Sequence, residues 1–444
     1  MAAFEPVRYA ALTDVGVKRS HNQDACAAQP AVDATGFGLQ GHVFVVADGM
    51  GGHAVGEKAS AKAARDIPFL YSKHARDGVI SAIRRAFQEA NAGIYEIGQQ
   101  NPEFRGLGTT STALVIRPEG AWVGHVGDSR AYRIRAGKAE QLTFDHSWVW
   151  EIARRQGVDP DELGDFKKNV IIRSLGPDPE VEVDIEGPYP VEPGDSFLLC
   201  SDGLTGVVTP QEVGAAVTAL PPDEAVRFLV HLANLRGGPD NITVVIVQVP
   251  GGADTGAGVK NTRSGPFGRL CSAWGKRVHW SFTVLGGGVS LALLSLGMLL
   301  GDVPGATVLF ILAALLIVVG LVGLTIHMQK EEPPGAAEAA ADAAPRELHI
   351  YKSHDCQVTP AVIDKFAQLE AQLLEGLRAH GIPTDFETHA KLAKLADAPA
   401  GKGEALPQAF RARCRSMLFL AEAFHKSRHK QEAFRPSWTP SPSQ

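Results

Sequence analysis

Four acidic residues stand where an apolar run meets a turn: Asp48 after residues 43–47, Asp128 between 122–126 and 131–135, Asp202 after 196–200, and Asp240 before 242–249. A carboxylate at the mouth of a buried strand is costly unless something positive receives it. Mg²⁺ and Mn²⁺ are hard cations that prefer oxygen ligands, which makes them the natural receivers. Alone, Asp48-Gly49 reads as an ordinary hairpin turn. Four such acids far apart in the chain point instead to one shared acidic site. No Cys or His cluster has the spacing of a zinc site. Two divalent ions can bridge a water, lower its pKa and place it for in-line attack. Attack on phosphorus also needs a cation on the non-bridging oxygens, and arginine grips them bidentately. Arg19, in the polar loop 13–24, is the best placed, with Arg130 and Arg173 as alternatives.

Strands and turns must hold these side chains. Residues 7–12 and 43–47 read as strands, the second ending at Asp48 because Gly49, Gly51 and Gly52 follow. Residues 56–70 and 77–100 read as helices; in the second, Val79, Ile80, Ile83, Phe87, Ala90, Ile94 and Ile97 recur at helical spacing. Residues 113–117 form a strand, and 122–135 form two strands joined through the Asp128 turn. Residues 146–156 read as a short helix closed by Gly157, and 157–172 as a surface flap beside the site. Thr209-Pro210-Gln211-Glu212 is a capping-box helix start. The helix 221–236 precedes the Asp240 strand. Short strands with helices in pairs between them predict a layered sandwich of two sheets covered by helices.

The remainder changes character. Residues 251–279 read as a flexible linker. Two apolar stretches, about 280–301 and 306–327, each have roughly the 20 residues a bilayer needs. The intervening turn carries only Asp302, while Lys260, Arg263, Arg269, Lys276, Arg277 and Lys330 flank the pair. The expectation is a transmembrane hairpin (280–328) in a lipid bilayer, with both flanking domains cytoplasmic. Residues 329–347 are an Ala/Pro-rich linker. Residues 348–435 read as a small helical domain whose core is the stripe Val362, Phe366, Leu369, Leu373 and Leu377, and 436–444 as a disordered tail. The chain has 444 residues and a net charge of -6, so nothing global points to nucleic acid. Its five cysteines are scattered and read as reduced thiols, and the N-terminus carries no run resembling a cleavable signal.

Eight motifs occur in order: Asp14-x-Gly16-x-x-Arg19-x-x-Asn22-Gln23-Asp24, Asp48-Gly49-Met50-Gly51-Gly52-His53, Gly108-Thr109-Thr110, Gly127-Asp128-Ser129-Arg130, Asp145-His146-Ser147, Arg173-Ser174-Leu175-Gly176, Ser201-Asp202-Gly203-Leu204 and Gly238-Pro239-Asp240-Asn241. Over residues 5–250 the chain resembles the bacterial branch of the metal-dependent serine/threonine phosphatases, the protein phosphatase 2C family. The resemblance implies an α+β, four-layer αββα sandwich of two antiparallel sheets flanked by helices. It implies that Asp48 bridges two Mn²⁺ or Mg²⁺ ions, the Gly49 carbonyl serves the first, and Asp202 and Asp240 complete the second. Asp24 would act through metal-bound water, Asp128 would hold a third, weaker ion, and Arg19 would grip the phosphate. The nucleophile would be water. Animal members carry a His directly after the Asp-Gly pair; here that residue is Met50. The leaving-group acid therefore stays open between His53 and a metal-bound water. The implied partners are phosphorylated proteins, as substrates or as autophosphorylated Ser/Thr kinases. The alternative is a non-catalytic phosphoprotein-binding module on the same fold.

Overall fold

The computed structural model describes residues 6–51, 55–104, 106–163, 170–251, 290–301 except 293 and 299, 308–317, 348–396 and 405–432. The chain divides into two compact units, one of Met1–Ala253 with Pro345–Gln444, the other of Asp254–Ala344.

The first unit begins with β1 (Arg8–Asp14), β2 (Asp24–Gln29), α1 (Ala34–Leu39), β3 (His42–Met50), α2 (Gly56–His74), α3 (Val79–Gln100) and β4 (Gly108–Thr109). Then come β5 (Ser111–Arg117), β6 (Gly120–Val126), β7 (Arg130–Arg135), β8 (Lys138–Gln141), α4 (Trp148–Gln156), β9 (Asp184–Tyr189) and β10 (Ser196–Cys200). It closes with α5 (Asp202–Thr205), α6 (Pro210–Ala219), α7 (Pro222–Leu235), β11 (Ile242–Gln248), β12 (Lys352–Asp355), α8 (Pro360–Ala379), α9 (Phe386–Ala396) and α10 (Ala405–Glu432). One sheet has the order β1-β11-β10-β7-β8-β12; the other runs β2-β3-β5-β6-β9, with β4 added to the end of β3. All the strand pairs are antiparallel.

Side-chain alternation builds the layers. On β3, Val43, Val45 and Ala47 face α2 and α3, while Phe44 and Val46 enter the space between the sheets. On β11, Ile242, Val244 and Ile246 join the core under α6 and α7, while Val245 and Val247 face the opposite sheet. Strands so apolar on both faces must be covered on both faces, and the helix pairs cover them. The expected four-layer αββα sandwich is thus present.

Two local readings change. β3 does not stop at Asp48: Gly49 and Met50 stay extended because Thr109 and Gly108 of β4 pair with them. The C-terminal segment is not purely helical. β12 is a sixth sheet strand against β8, registered from Lys352↔Gln141 to Asp355↔Lys138. Phe366, Phe410, Cys414, Met417 and Leu418 from α8 and α10 are buried in the same core as α6 and α7. The stripe expected to serve a separate small bundle therefore contributes to the sandwich's own core.

The transmembrane hairpin is corrected, and with it the multi-pass membrane localisation and the bilayer as partner. Among the described residues no helix is long and apolar enough to cross a membrane. The helical stretches described there, within 290–300 and 308–317, give roughly 15–17 Å each at 1.5 Å per residue, against a hydrocarbon core of about 30 Å. Apolar content does not by itself make a spanning helix: Gly286, Gly287 and Gly288 each disfavour helix by about 1 kcal/mol relative to Ala. The rest of 280–327 lies outside the described residues, as do both linkers and the tail.

Candidate metal centre

The site lies where the two sheets approach at one end of the sandwich. Asp24 opens β2 and stands directly opposite Asp48 of β3 in the sheet register. Its Oδ2 accepts hydrogen bonds from Ser201 Oγ and Thr243 Oγ1, both at 2.7 Å and both from the other sheet's side. Asp48 is fixed through its backbone: its N–H donates to Thr110 Oγ1 at 3.0 Å, and its carbonyl oxygen accepts from Thr110 N and from Thr109 Oγ1, each at 2.8 Å.

 

Asp202 is the first residue of α5, directly after β10. Asp240 precedes β11; its Oδ1 accepts from Asn241 N at 2.9 Å and its Oδ2 from Arg19 at 2.8 Å.

The loop that carries Arg19 is pinned to the Asp240 turn. Val17 N and Lys18 N both donate to Gly238 O. Asp14 Oδ1 accepts from Gly16 N at 2.8 Å and from Asn234 at 3.1 Å. Gly16 has φ +80°, and a Cβ there would stand 2.1 Å from Asp240 O, so no side chain fits. Of the three candidate phosphate-binding cations, Arg130 is tied to Asp145 at 2.7–3.0 Å and Arg173 to Asp184 at 2.7 Å. Arg19 pairs with Asp240, yet its side chain is 51% exposed.

The carboxylates raise one another's pKa. Burial, then repulsion from Asp202 and Asp240, lifts Asp24 to about 7 against two hydroxyl hydrogen bonds that oppose the rise. Burial, then Asp202 and Asp145, lifts Asp128 to about 8. Burial and Asp240 lift Asp202 to about 6, although it shares a hydrogen bond with Asp48. Asp48 rises well above the carboxylate range through burial and the charges of Asp24, Asp202, Asp128 and Asp240. Five acids thus act on one another: Asp24, Asp48, Asp128, Asp202 and Asp240. Among the described residues no group of three or more His, Cys, Asp or Glu side chains is already arranged as a metal cage. The donor chemistry nonetheless fits a hard cation. Asp24 Oδ1, Asp128 Oδ1 and Asp202 Oδ1 are buried with no hydrogen-bond partner, and such orphaned oxygens are costly unless a positive group meets them. His53 lies outside the described residues.

Sequence reasoning missed the supporting side chains. Ser201 and Thr243 orient Asp24, and Asn241 joins three segments by accepting from Gln23 N and donating to Val15 O and His21 O. Ser201 and Asn241 sit beside the motif aspartates, and that adjacency was the available signal.

Comparison with known proteins follows the same residues. The family model "Protein phosphatase 2C" matches residues 13–150. The protein phosphatase PhpP of Streptococcus pneumoniae is 37% identical over 244 residues, covering 54% of this chain and 96% of that protein. The chain belongs to the protein phosphatase 2C family. A second relative, the serine/threonine protein phosphatase PstP of Mycobacterium tuberculosis, is 31% identical over 55% of this chain and 45% of its own length. Among solved structures, the catalytic domain of the serine threonine protein phosphatase PstP in complex with 2 manganese ions is 30% identical, with a TM-score of 0.47, over 55% of this chain and 99% of that one.

Proposed function

We propose that this phosphatase 2C member hydrolyses phosphoserine and phosphothreonine in proteins at a two-ion Mn²⁺ or Mg²⁺ site held by Asp48, the Gly49 carbonyl, Asp202 and Asp240. Asp24 and Asp128 stand beside it, Asp128 toward a third, weaker ion. The observation that carries this reading is the set of partnerless buried oxygens on Asp24, Asp128 and Asp202. When bound, such ions lower the pKa of water and offset the charge that builds on the phosphoryl oxygens. The chain's own residues then have separable tasks. Asp24 is oriented by Ser201 and Thr243. Arg19, half exposed on a loop tied to the Asp240 turn, turns from Asp240 to the substrate phosphate and grips it bidentately. His53 and a metal-bound water are the two candidates for the leaving-group acid. The substrates we infer are phosphoproteins, among them autophosphorylated Ser/Thr kinases.

The test uses the full chain with a phosphothreonine peptide and Mn²⁺. Hydrolysis should require the ion and stop with EDTA. A folded chain that releases no phosphate from any phosphopeptide would favour the non-catalytic binding module instead.

A further inference from the structure

The chain beyond residue 348 returns to the sandwich as β12, at the edge of one sheet beside β8. Lys352 opens β12, and its Nζ donates to Asp159 Oδ1 and to Asp161 Oδ2, each at 2.8 Å. It also lies 5.3 Å from the centre of the Trp150 ring. Its side chain is only 13% exposed, low for a lysine. Asp159 and Asp161 belong to the segment after α4, and Lys352 holds the Asp159 carboxyl below its usual range.

α4, which leads into that segment, begins two residues after His146, and short steps run from there to the acidic cluster. Trp148 N donates to Val170 O, Ile172 N to His146 O, and His146 N to Gly127 O, the residue before Asp128. Trp150 packs edge-on against Phe144 and lies 5.7 Å from the Arg130 guanidinium, which holds Asp145. Along these bonds Trp148, Val170 and Ile172 are 50%, 44% and 47% exposed. Exposed large apolar side chains suit contact with a polypeptide more than with a small aryl phosphate.

We propose that Lys352 is a positioning residue for the phosphatase reaction: from the C-terminal segment it fixes the stretch after α4 and thereby sets how a polypeptide substrate lies against the site. The proposal rests on the phosphatase reading for its reaction. Without the lysine, Asp159 and Asp161 are left as two like charges, and the stretch loses its tie to the sheet.

The test compares the full-length chain with Lys352→Ala and Lys352→Arg, using a phosphothreonine peptide and an aryl phosphate with Mn²⁺. Amide hydrogen exchange is followed over residues 158–163. In Lys352→Ala the peptide KM should rise about three- to fivefold, the worth of one ion pair, with kcat and both aryl phosphate constants within about twofold of the parent. Exchange over 158–163 should quicken about tenfold. Lys352→Arg should restore both. Unchanged peptide KM, unchanged exchange, or equal losses on both substrates would overturn the proposal. A parent chain that hydrolyses neither compound would instead refute the phosphatase reading, while the exchange measurement still decides whether Lys352 holds the segment.

Discussion

Replacing Phe366 by Ala tests whether the C-terminal helices and the catalytic sandwich fold as one body. Phe366 is 0% exposed. Its ring meets Phe228 of α7 edge-on at 5.7 Å and Phe410 of α10 at 5.6 Å. It thus sits between a helix that covers the sheet and one whose Phe410 comes 182 residues after Phe228 in the chain. Truncating a fully packed Phe costs about 3–5 kcal/mol in lost transfer energy and cavity. At roughly 2 °C per kcal/mol for a large cooperative unit, the melting temperature should fall by about 6–10 °C. Thermal unfolding would be followed twice, by far-UV circular dichroism and by residual phosphatase activity. Both signals should shift together. A low-temperature loss of helix with the activity midpoint unchanged would show that α8–α10 melt alone, and the shared-core argument would be refuted.

Three further outcomes follow from single sites. Asp202→Asn should lower kcat by about 10³-fold with the fold intact, and equal activity would remove Asp202 from the ligand set. Gly203→Ala would put a Cβ 1.9 Å from Asn241 O; the shift forced on Asp202 and Asp240 should cost about 10²-fold in activity, and wild-type turnover would show that the loop relaxes freely. Glu212 is held at about 2 rather than 4.5: burial pushes it up, but Arg236 and Lys365 hydrogen bonds outweigh burial. A depressed acid contributes stability above its unfolded pKa, so on the order of 3 kcal/mol should be lost as pH falls from about 4.5 to about 2. Urea titrations of the parent against Glu212→Gln should diverge above pH 4.5 and converge toward pH 2, and parallel curves would refute this.

The sandwich was legible because its core strands are apolar on both faces and because α6 opens on a strong cap. Thr209 and Glu212, read as a capping box, make both reciprocal hydrogen bonds. Asp48, Asp128, Asp202 and Asp240 were visible because each interrupts an apolar run. What escaped reading was long-range. β12 is Lys-Ser-His-Asp, an edge strand with no apolar alternation, and only its pairing with β8 defines it. The stripe on α8 announced a buried face but not what buries it, since periodicity fixes a face and says nothing about its partner. The apolar content of 280–327 measured hydropathy without measuring helix length.

The ancestry of the candidate ligands makes one more demand. Asp24 and Asp48 belong to one sheet, whereas Asp202 and Asp240 flank β10 and β11 of the other. An ion held by both pairs would tie the sheets together at the end where buried carboxylates otherwise repel. It would bind the folded chain and not the unfolded one, so its binding energy would appear as stability. At a hundredfold excess over Kd the gain is about 2.7 kcal/mol. Mn²⁺ should therefore raise the melting temperature of the parent by several degrees, and EDTA should reverse the rise. Asp48→Asn removes the acid that faces every other member of the cluster, so its Mn²⁺-dependent shift should largely vanish while its metal-free melting temperature holds or rises, because one buried charge is gone. If Asp48→Asn kept the full Mn²⁺ shift, the ion would be binding elsewhere, and the sheets would be held by packing alone.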